Sequence, residues 1–398
     1  MTTKIPVKIM EYFPDHKESV IKNALIVAQG IFKAKSVNLQ EVKDELPDII
    51  GNKETTPESN YKRLTRFFLL PDKEKQDLFK QMLTASLNLI NEKKSKLSTA
   101  FLTIDGTKWQ GPQGFIHLLS LCIVVNGVSI PLWWVDLAKK GHSSQIERMD
   151  FFKKALELYD LTGKCLLGDR EYIGRDFLTF LTEKEIKLTI RLPKGVYKEE
   201  VDAVVFRSTD RQEREQHLRY SAMERKAKLP KYANTGVSKR IKLNDKPYLF
   251  IIVRNNNWKI GDDPKEELLY LVSSLDKKKK AIKAYRIRWS IECCFKHLKS
   301  KGFDLEAINL RGDLKIMLMV SLVTFMYTLC VVQGLLQLRI PKKSDWRKFK
   351  DGKVFLAKSY FRTGKSFLRT RFCSLSDFVT FLNGILHPKN GPNILFVQ

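Results

Sequence analysis

The chain has 398 residues, and its hydrophobic fraction of 43% is sufficient for a large buried core. Its formal net charge of +27 at pH 7 repels itself unless a polyanion binds, so nucleic acid is the expected partner. The six cysteines include no CxxC pair, which argues against a zinc site or a disulfide scaffold. The first residues lack the apolar core of a signal peptide, so we expect a cytoplasmic (bacterial, nucleoid-associated) protein.

Residues 1–95 are predicted to form a helical, polar DNA-binding region. Residues 17–34 have the periodicity of one amphipathic helix, a second helix follows to about Leu46, and Thr56 begins a third. The basic side of this third helix consists of Lys62, Arg63 and Arg66. Three short helices that end in a basic one are typical of a helix-turn-helix-like DNA module. A helical cap with a solvated basic face is the alternative.

From about residue 100 the pattern changes to strands. An apolar run ends in Asp105, a hairpin turns at Asn126–Gly127, and a short buried strand ends in Asp169. Helices are predicted over residues 145–159 and 172–184, and a further strand over 187–193. This order predicts an α/β fold with an RNase H-like core, a mixed sheet flanked by helices, over residues 96–335.

Residues 194–276 are predicted to be a mostly β insertion in this catalytic domain. Its predicted strands are 201–208, 240–244, 248–255 and 268–274. A long helix over 277–302 follows, and residues 336–398 form a basic C-terminal region that we expect to bind DNA ends or a second protomer.

The segment 316–336 has no charged residue and is long enough to span a membrane. It contains Ser321, Thr324, Thr328 and Gln333, and no second such segment exists in the sequence. We therefore predict a helix buried in a large core. Basic residues are spread along the chain instead of lying beside one apolar anchor, so no membrane partner is expected.

Asp105 and Asp169 each follow two or more buried apolar residues at the end of a strand. A carboxylate in such a place is costly to desolvate unless it is paired, hydrogen-bonded or bound to a metal. A strand-end aspartate that caps the next turn is the alternative for either residue alone. Two of them on neighbouring strands favour a metal site.

A third acid lies on the helix predicted over 277–302. The residues Tyr285, Arg288, Glu292 and Lys299 fall within an arc of about 60° on one helix face. A hydroxyl, a guanidinium, a carboxylate and an ammonium group on one face suit a phosphate backbone beside a metal. The alternative is a solvated face with an i,i+4 ion pair between Arg288 and Glu292.

The spacing Y-x2-R-x3-E-x6-K resembles the YREK signature of the DDE transposases of the insertion-sequence-four family. The segments TIDGTKW and LLGDREYIGRDFL resemble the regions of that family's first two catalytic aspartates. The β insertion before the glutamate helix and the segment SNYKRLTRFF are also similar. The resemblance extends from about residue 55 to 335.

The resemblance implies a transposase that excises and inserts its own element by metal-dependent phosphodiester hydrolysis and strand transfer, through a hairpin DNA end. Asp105, Asp169 and Glu292 would hold two Mg²⁺ ions, with Mn²⁺ as a substitute. The DNA-binding residues would be Tyr285, Arg288 and Lys299, together with Lys62, Arg63, Arg66 and Arg170. The expected partners are double-stranded DNA, both terminal inverted repeats and target, and a second protomer in a synaptic homodimer.

Two alternatives remain from the sequence. The first is an RNase H-like DNA nuclease that cuts without joining ends, and the second is a domesticated DNA-binding protein without catalysis. For Arg170, which directly follows Asp169, an ion pair with an acid is the alternative to a phosphate contact.

Overall fold

The computed structural model describes residues 3–91, 100–112, 114–203, 218–340, 342–349, 352 and 354–386. The N-terminal region is helical, as predicted. Its helices are α1 (Val7–Met10), α2 (Glu18–Ala34), α3 (Leu39–Ile50), α4 (Pro57–Phe67) and α5 (Asp72–Asn91). The side chain of Thr56 accepts a hydrogen bond from the Ser59 N–H, which caps α4 where the sequence places its start.

One eight-stranded sheet forms the centre of the molecule. Its strands are β1 (Phe101–Gly111), β2 (Gly114–Val125), β3 (Val128–Asp136), β4 (Cys165–Gly168), β5 (Lys187–Leu192), β6 (Val237–Leu243), β7 (Lys246–Arg254) and β8 (Leu268–Ser273). Their order is β3-β2-β1-β4-β5-β8-β7-β6. The strands β1, β4 and β5 are parallel, and all the other neighbours pair antiparallel.

Further helices lie in the segments between and after the strands of this sheet. They are α6 (Gln145–Leu156), α7 (Arg175–Glu183), α8 (Lys198–Ala203), α9 (Tyr220–Lys228), α10 (Lys278–Ile287), α11 (Trp289–Leu298), α12 (Asp313–Gln337), α13 (Tyr360–Arg369) and α14 (Leu375–Ile385). Leu167 clusters with Ala284 of α10, whereas its neighbour Leu166 belongs to the main core. Successive side chains of β4 thus face two packed layers. The predicted α/β fold, an RNase H-like mixed sheet flanked by helices, is confirmed.

The segment predicted as an insertion extends the main sheet instead of forming a sheet of its own. Thr189 of β5 pairs with Ser273 of β8, and β7 and β6 follow outward. The strand predicted over 201–208 is wrong where the structure describes it, because Val201–Ala203 lie in α8; residues 204–208 lie outside the described residues. Glu199 and Glu200 in the first turn favour a helix there.

The helix predicted over 277–302 consists of two helices that meet at Arg288. The Arg288 N–H bonds to the Tyr285 carbonyl, and the Ile291 N–H bonds to the Arg288 carbonyl. These i,i+3 hydrogen bonds tighten the turn and divide α10 from α11. The second helix ends at Leu298, so Lys299 lies outside it.

The apolar segment forms α12, which is long and apolar enough to cross a membrane by length and composition alone. In the folded chain 94% of its most apolar window is buried. The Ser321 and Thr328 hydroxyls donate to carbonyls of the same helix, which satisfies both polar groups in the core. The prediction of a buried helix is confirmed.

The C-terminal region packs back on the N-terminal half. Helix α13 lies against α12, and the Gln29 side chain of α2 donates to the carbonyls of Phe372 and Ser374, just before α14. Between α12 and α13 lies a two-stranded hairpin, β9 (Trp346–Lys348) and β10 (Val354–Leu356).

Candidate active site

The parallel register of β1 and β4 brings two of the predicted acids side by side. Leu102 pairs with Leu166 and Thr103 with Leu167, and the same offset two residues further places Asp169 beside Asp105. Phe101 belongs to the cluster around Ala284, so the alternation along β1 directs Asp105 toward the helical pair α10–α11. The sheet thus presents both carboxylates to the helix that carries the third.

The three acids converge on one guanidinium group. Arg288 Nη2 donates to Glu292 Oε1 at 2.7 Å, and Nη1 lies 3.5 Å from Asp105 Oδ2. Nη2 also lies 3.9 Å from Asp169 Oδ2. Only 11% of the Arg288 side chain is exposed, so these charges interact in a partly desolvated place.

The electrostatics of the site reflect this crowding. Burial raises the pKa of the Asp105 carboxyl to about 7, although Arg288 and the Gly106 N–H lower it in part. Burial alone would lower the pKa of Arg288, but Tyr285 and the three carboxylates raise it above its ordinary value. Burial, with Asp169 next, raises the pKa of Tyr285 to about 12. The carboxylates of the site therefore stabilise a positive charge placed between them.

Backbone N–H groups donate hydrogen bonds to both aspartates. The Gly106 N–H donates to Asp105 Oδ1 and the Arg170 N–H to Asp169 Oδ1, each at 2.8 Å. Asp169 thus caps the short 3-10 helix that follows it, as the alternative reading of the sequence expected, while its second oxygen faces Arg288. A methyl group at Gly106 would lie 2.6 Å from Nε2 of the buried His117, so a larger residue there would require that side chain to move.

Lys299 lies apart from the three acids. Its ammonium group donates to the Lys108 carbonyl at 3.0 Å and to Glu306 at 2.8 Å, and lies 5.1 Å from the centre of the Trp109 ring. The single face expected for the four residues assumed one continuous helix. The helix α11 ends at Leu298, so Lys299 does not continue the face of the other three residues. The site is therefore shared by Tyr285, Arg288 and Glu292, and Lys299 lies at its edge, beside β1.

The remaining predicted DNA contacts are exposed. Arg170 pairs with Glu266 at 3.1 Å, which is the ion pair that the sequence left open. The basic side chains of α4 all point to solvent; they are Lys62, Arg63 and Arg66. Lys62 pairs with Glu58 at 2.6 Å, and Arg63 and Arg66 line a groove against α2.

Sequence reasoning missed two polar neighbours of the acids, Arg191 and Glu171. Arg191, at the end of β5, lies 3.8 Å from Asp169 and also pairs with Glu266. Glu171 raises the pKa of Asp105 further and lies 2.5 Å from His142. The β4–β5 register, which places residue 191 beside 169, is the signal that could have identified Arg191.

The donor set fits a hard divalent cation. Asp105, Asp169 and Glu292 supply oxygen atoms, which Mg²⁺ and Mn²⁺ prefer over nitrogen or sulfur. Within the described parts of the chain, no group of three His, Cys, Asp or Glu side chains is arranged to hold one metal ion. Here each carboxylate faces the Arg288 guanidinium, which serves as their shared cation.

Comparison with known proteins identifies the family. A comparison with solved structures matches the chain to a piggyBac transposase in a cryo-EM synaptic complex with hairpin DNA, with a TM-score of 0.40 and 14% sequence identity, over 96% of this chain and 79% of that one. No curated protein matches the sequence. Residues 96–329 match the family model of the transposase DDE domain. Because the match covers more than half of the sequence, the chain belongs to the transposase DDE domain family.

Proposed function

We propose that this transposase is of the insertion-sequence-four type and that it excises and inserts its own DNA element. The observation that carries the proposal is the convergence of Asp105, Asp169 and Glu292 on one guanidinium. The first two acids come from adjacent parallel strands and the third from the helix after the insertion. That arrangement supports the roles implied by the TIDG, GDREY and Y-R-E-K motifs.

In this proposal the three carboxylates hold two divalent metal ions, Mg²⁺ or Mn²⁺. Such a pair stabilises both the attacking and the leaving oxygen of an in-line phosphodiester displacement. Binding requires the Asp105 carboxyl to lose its proton, and burial makes that loss harder. The freed Arg288 guanidinium is then positioned to fork two oxygens of a DNA phosphate, with the Tyr285 hydroxyl as a further donor.

The rest of the chain serves DNA binding in the proposal. Residues 1–95 form a DNA-binding region in which α4 presents its basic side, and the DDE core extends over 96–335 with its insertion at 194–276. The net charge of +27 supports a long contact with phosphates. Two protomers would hold the two element ends in one synaptic complex, and the cut end would pass through a hairpin.

The test is a strand-transfer assay on the element's own terminal DNA. Purified protein with Mg²⁺ is mixed with a labelled terminal duplex and a supercoiled target plasmid. Labelled DNA joined to the plasmid supports the proposal. Cutting without joining identifies a nuclease of the same fold, and DNA binding without metal-dependent cutting identifies a protein that has lost catalysis.

A hairpin intermediate is tested in the same reaction. Denaturing electrophoresis separates a closed hairpin end, which runs at twice the strand length, from an open double-strand break. An open break as the sole product would reject the hairpin step and leave the transposase assignment in place.

A further inference from the structure

The hairpin of β9 and β10 projects an unusually apolar surface into solvent. We name residues 342–349 and 354–358 the C-terminal ribbon. Trp346 pairs with Leu356, Arg347 with Phe355 and Lys348 with Val354. The large apolar side chains of the ribbon are about half exposed: Trp346 by 45%, Phe349 by 49%, Val354 by 51% and Phe355 by 54%. Large exposed apolar patches commonly mark interaction sites.

Both faces of the ribbon are exposed. Every described side chain from Trp346 to Phe349 is exposed, so neither the even nor the odd positions pack on the core. An isolated two-stranded hairpin is at best marginally stable in water. A partner that covers one of its faces would therefore stabilise the ribbon.

One face carries an aromatic platform beside a guanidinium. Arg347, Phe349 and Phe355 lie on this face by strand alternation and register. The two phenylalanine rings are 5.6 Å apart and nearly perpendicular, and the Arg347 guanidinium lies 5.6 Å from the centre of the Phe349 ring. Exposed rings with adjacent positive charge are the surface on which nucleobases stack.

The charge around this platform is strongly positive. Residues 339–358 contain eight Lys and Arg but only two Asp. Asp345 accepts a hydrogen bond from the Lys342 N–H at 2.7 Å and so stabilises the turn before β9. None of Lys342, Lys343, Arg347 and Lys348 forms an ion pair with a carboxylate that the structure describes. Such a surface attracts a polyanion and repels a second copy of itself.

We propose that the C-terminal ribbon is a separate DNA-binding arm, which contacts phosphates through its basic residues and an unstacked base through Phe349 and Phe355. The choice of DNA as the ligand of this arm rests on the proposed function. Two-stranded antiparallel ribbons fit a DNA groove, and apolar side chains inserted between bases stabilise locally distorted DNA. The arm is fixed at both ends, since α12 before it and α13 after it pack on each other.

The phosphate contacts are tested in the full chain by removing four charges. The ribbon variant carries Lys342→Gln, Lys343→Gln, Arg347→Gln and Lys348→Gln. The control variant, matched in net charge, carries Lys154→Gln, Lys184→Gln, Lys242→Gln and Lys246→Gln at exposed positions outside the ribbon. Fluorescence anisotropy with a terminal duplex, measured over a range of salt concentrations without divalent metal, gives the affinity and its salt slope.

The ribbon variant is expected to lose about 0.9 from the slope of log affinity against log salt for each phosphate contact removed. The control variant is expected to retain a slope close to that of the wild type. Equal losses in the two variants would show that net charge alone matters and would overturn the proposal.

The base contact is tested with Phe349→Ser and Phe355→Ser combined. Binding to a single-stranded oligonucleotide is expected to weaken roughly tenfold, with the salt slope retained. Unchanged affinity overturns the stacking role, and loss of dimerisation in light scattering at unchanged DNA affinity would identify a protomer interface instead.

Wild-type protein that binds DNA through the ribbon but never cleaves it would reject the proposed function alone. Matching thermal unfolding curves confirm that the variants fold.

Discussion

Arg288 and Glu292 lie one helical turn apart, and their charged groups form a hydrogen bond of 2.7 Å. The sequence left two alternatives for this pair, a solvated i,i+4 ion pair or part of a grip on phosphate. The ion pair exists, but it is largely buried and the same guanidinium also faces Asp105 and Asp169. A divalent cation at these carboxylates therefore competes with Arg288 for the same oxygen atoms.

Replacing Glu292 with Gln is expected to abolish DNA cleavage while retaining DNA binding. The amide keeps the shape and the hydrogen bond to Arg288 but removes the negative charge that a metal ligand needs. Substitution of a residue that only supports a metal ligand typically lowers activity by about ten- to a hundredfold. For a ligand itself, a loss of at least about a hundredfold is therefore expected. Cleavage of a terminal duplex and anisotropy measure the two properties.

Glu306→Gln is the matched control for this change, because Glu306 pairs with Lys299 and does not face Arg288. Its cleavage rate is expected to stay within a few fold of the wild type. Metal-dependent cleavage by Glu292→Gln at the wild-type rate would reject the proposed metal site.

Asp105→Asn is expected to stabilise the metal-free protein at high pH. The pKa of Asp105 is about 7 in the folded chain and 3.8 for an ordinary aspartate, so between these values the folded state binds the extra proton. Stability therefore falls as pH rises through this window, and the penalty is complete above pH 7. In chelator at pH 8 the variant is expected to be more stable by on the order of 1–4 kcal/mol.

The stability difference is expected to shrink as the pH falls from 7 toward 4, because wild-type Asp105 then carries a proton like the neutral amide. Urea unfolding at pH 8 and pH 4.5 measures it. Asp150→Asn, at an exposed position of α6, is the control, with no comparable change. A variant less stable than wild type at pH 8 would contradict the expected burial penalty.

Arg288→Met is expected to destabilise the metal-free protein. The change leaves the three carboxylates without their shared cation while it conserves most of the side-chain volume. Loss of hydrogen bonds to a charged group in a largely buried place should lower the free energy of unfolding in chelator by about 1–3 kcal/mol. Millimolar Mg²⁺ should restore more stability to this variant than to wild type, since the metal no longer displaces the guanidinium.

The control for this change is Arg286→Met, at an exposed position of α10. It removes the same charge without touching the acids, so its unfolding should depend on Mg²⁺ as in wild type. Equal responses of the two variants would show that Arg288 does not compete with metal.

The sheet and its two acids could be predicted because local pattern determines them, although β1 continues past Asp105 to Gly111 instead of ending there. The apolar run before Asp105, the Asn126–Gly127 turn and the short strand before Asp169 each carry a signal within a few residues. Their proximity follows from the parallel register of β1 and β4, which the fold class implied. The buried α12 was predictable in the same way, since Ser321 and Thr328 donate to carbonyls of their own helix.

The other features depend on contacts that no local pattern carries. The helix break at Arg288 involves neither proline nor glycine, so continuous periodicity placed Lys299 on the acid face when it lies at the end of α11. Val201 belongs to an apolar run that reads as a strand, but the acidic residues before it begin a helix. The pairing of β8 with β5, which joins the insertion to the main sheet, spans about eighty residues of sequence.

The close contact between α12 and α13 gives a final prediction. A methyl group added at Gly364 would lie 1.8 Å from the Cys330 carbonyl oxygen, and one at Gly334 would lie 1.8 Å from the Tyr360 carbonyl oxygen. Both contacts are with backbone atoms, so only separation of the helices relieves them. Gly364→Ala is expected to lower the free energy of unfolding by about 3 kcal/mol, at the upper end of overpacking effects.

Gly384→Ala in α14 is the matched control, because no heavy atom lies within 4 Å of the added methyl group. There the substitution should be neutral or stabilising by up to about 1 kcal/mol, since alanine favours a helix. Because α13 fixes one end of the C-terminal ribbon, Gly364→Ala should also increase protease cleavage within residues 339–369. Unfolding and proteolysis curves that coincide for the two variants would show that the helices accommodate a side chain and that their contact does not anchor the ribbon.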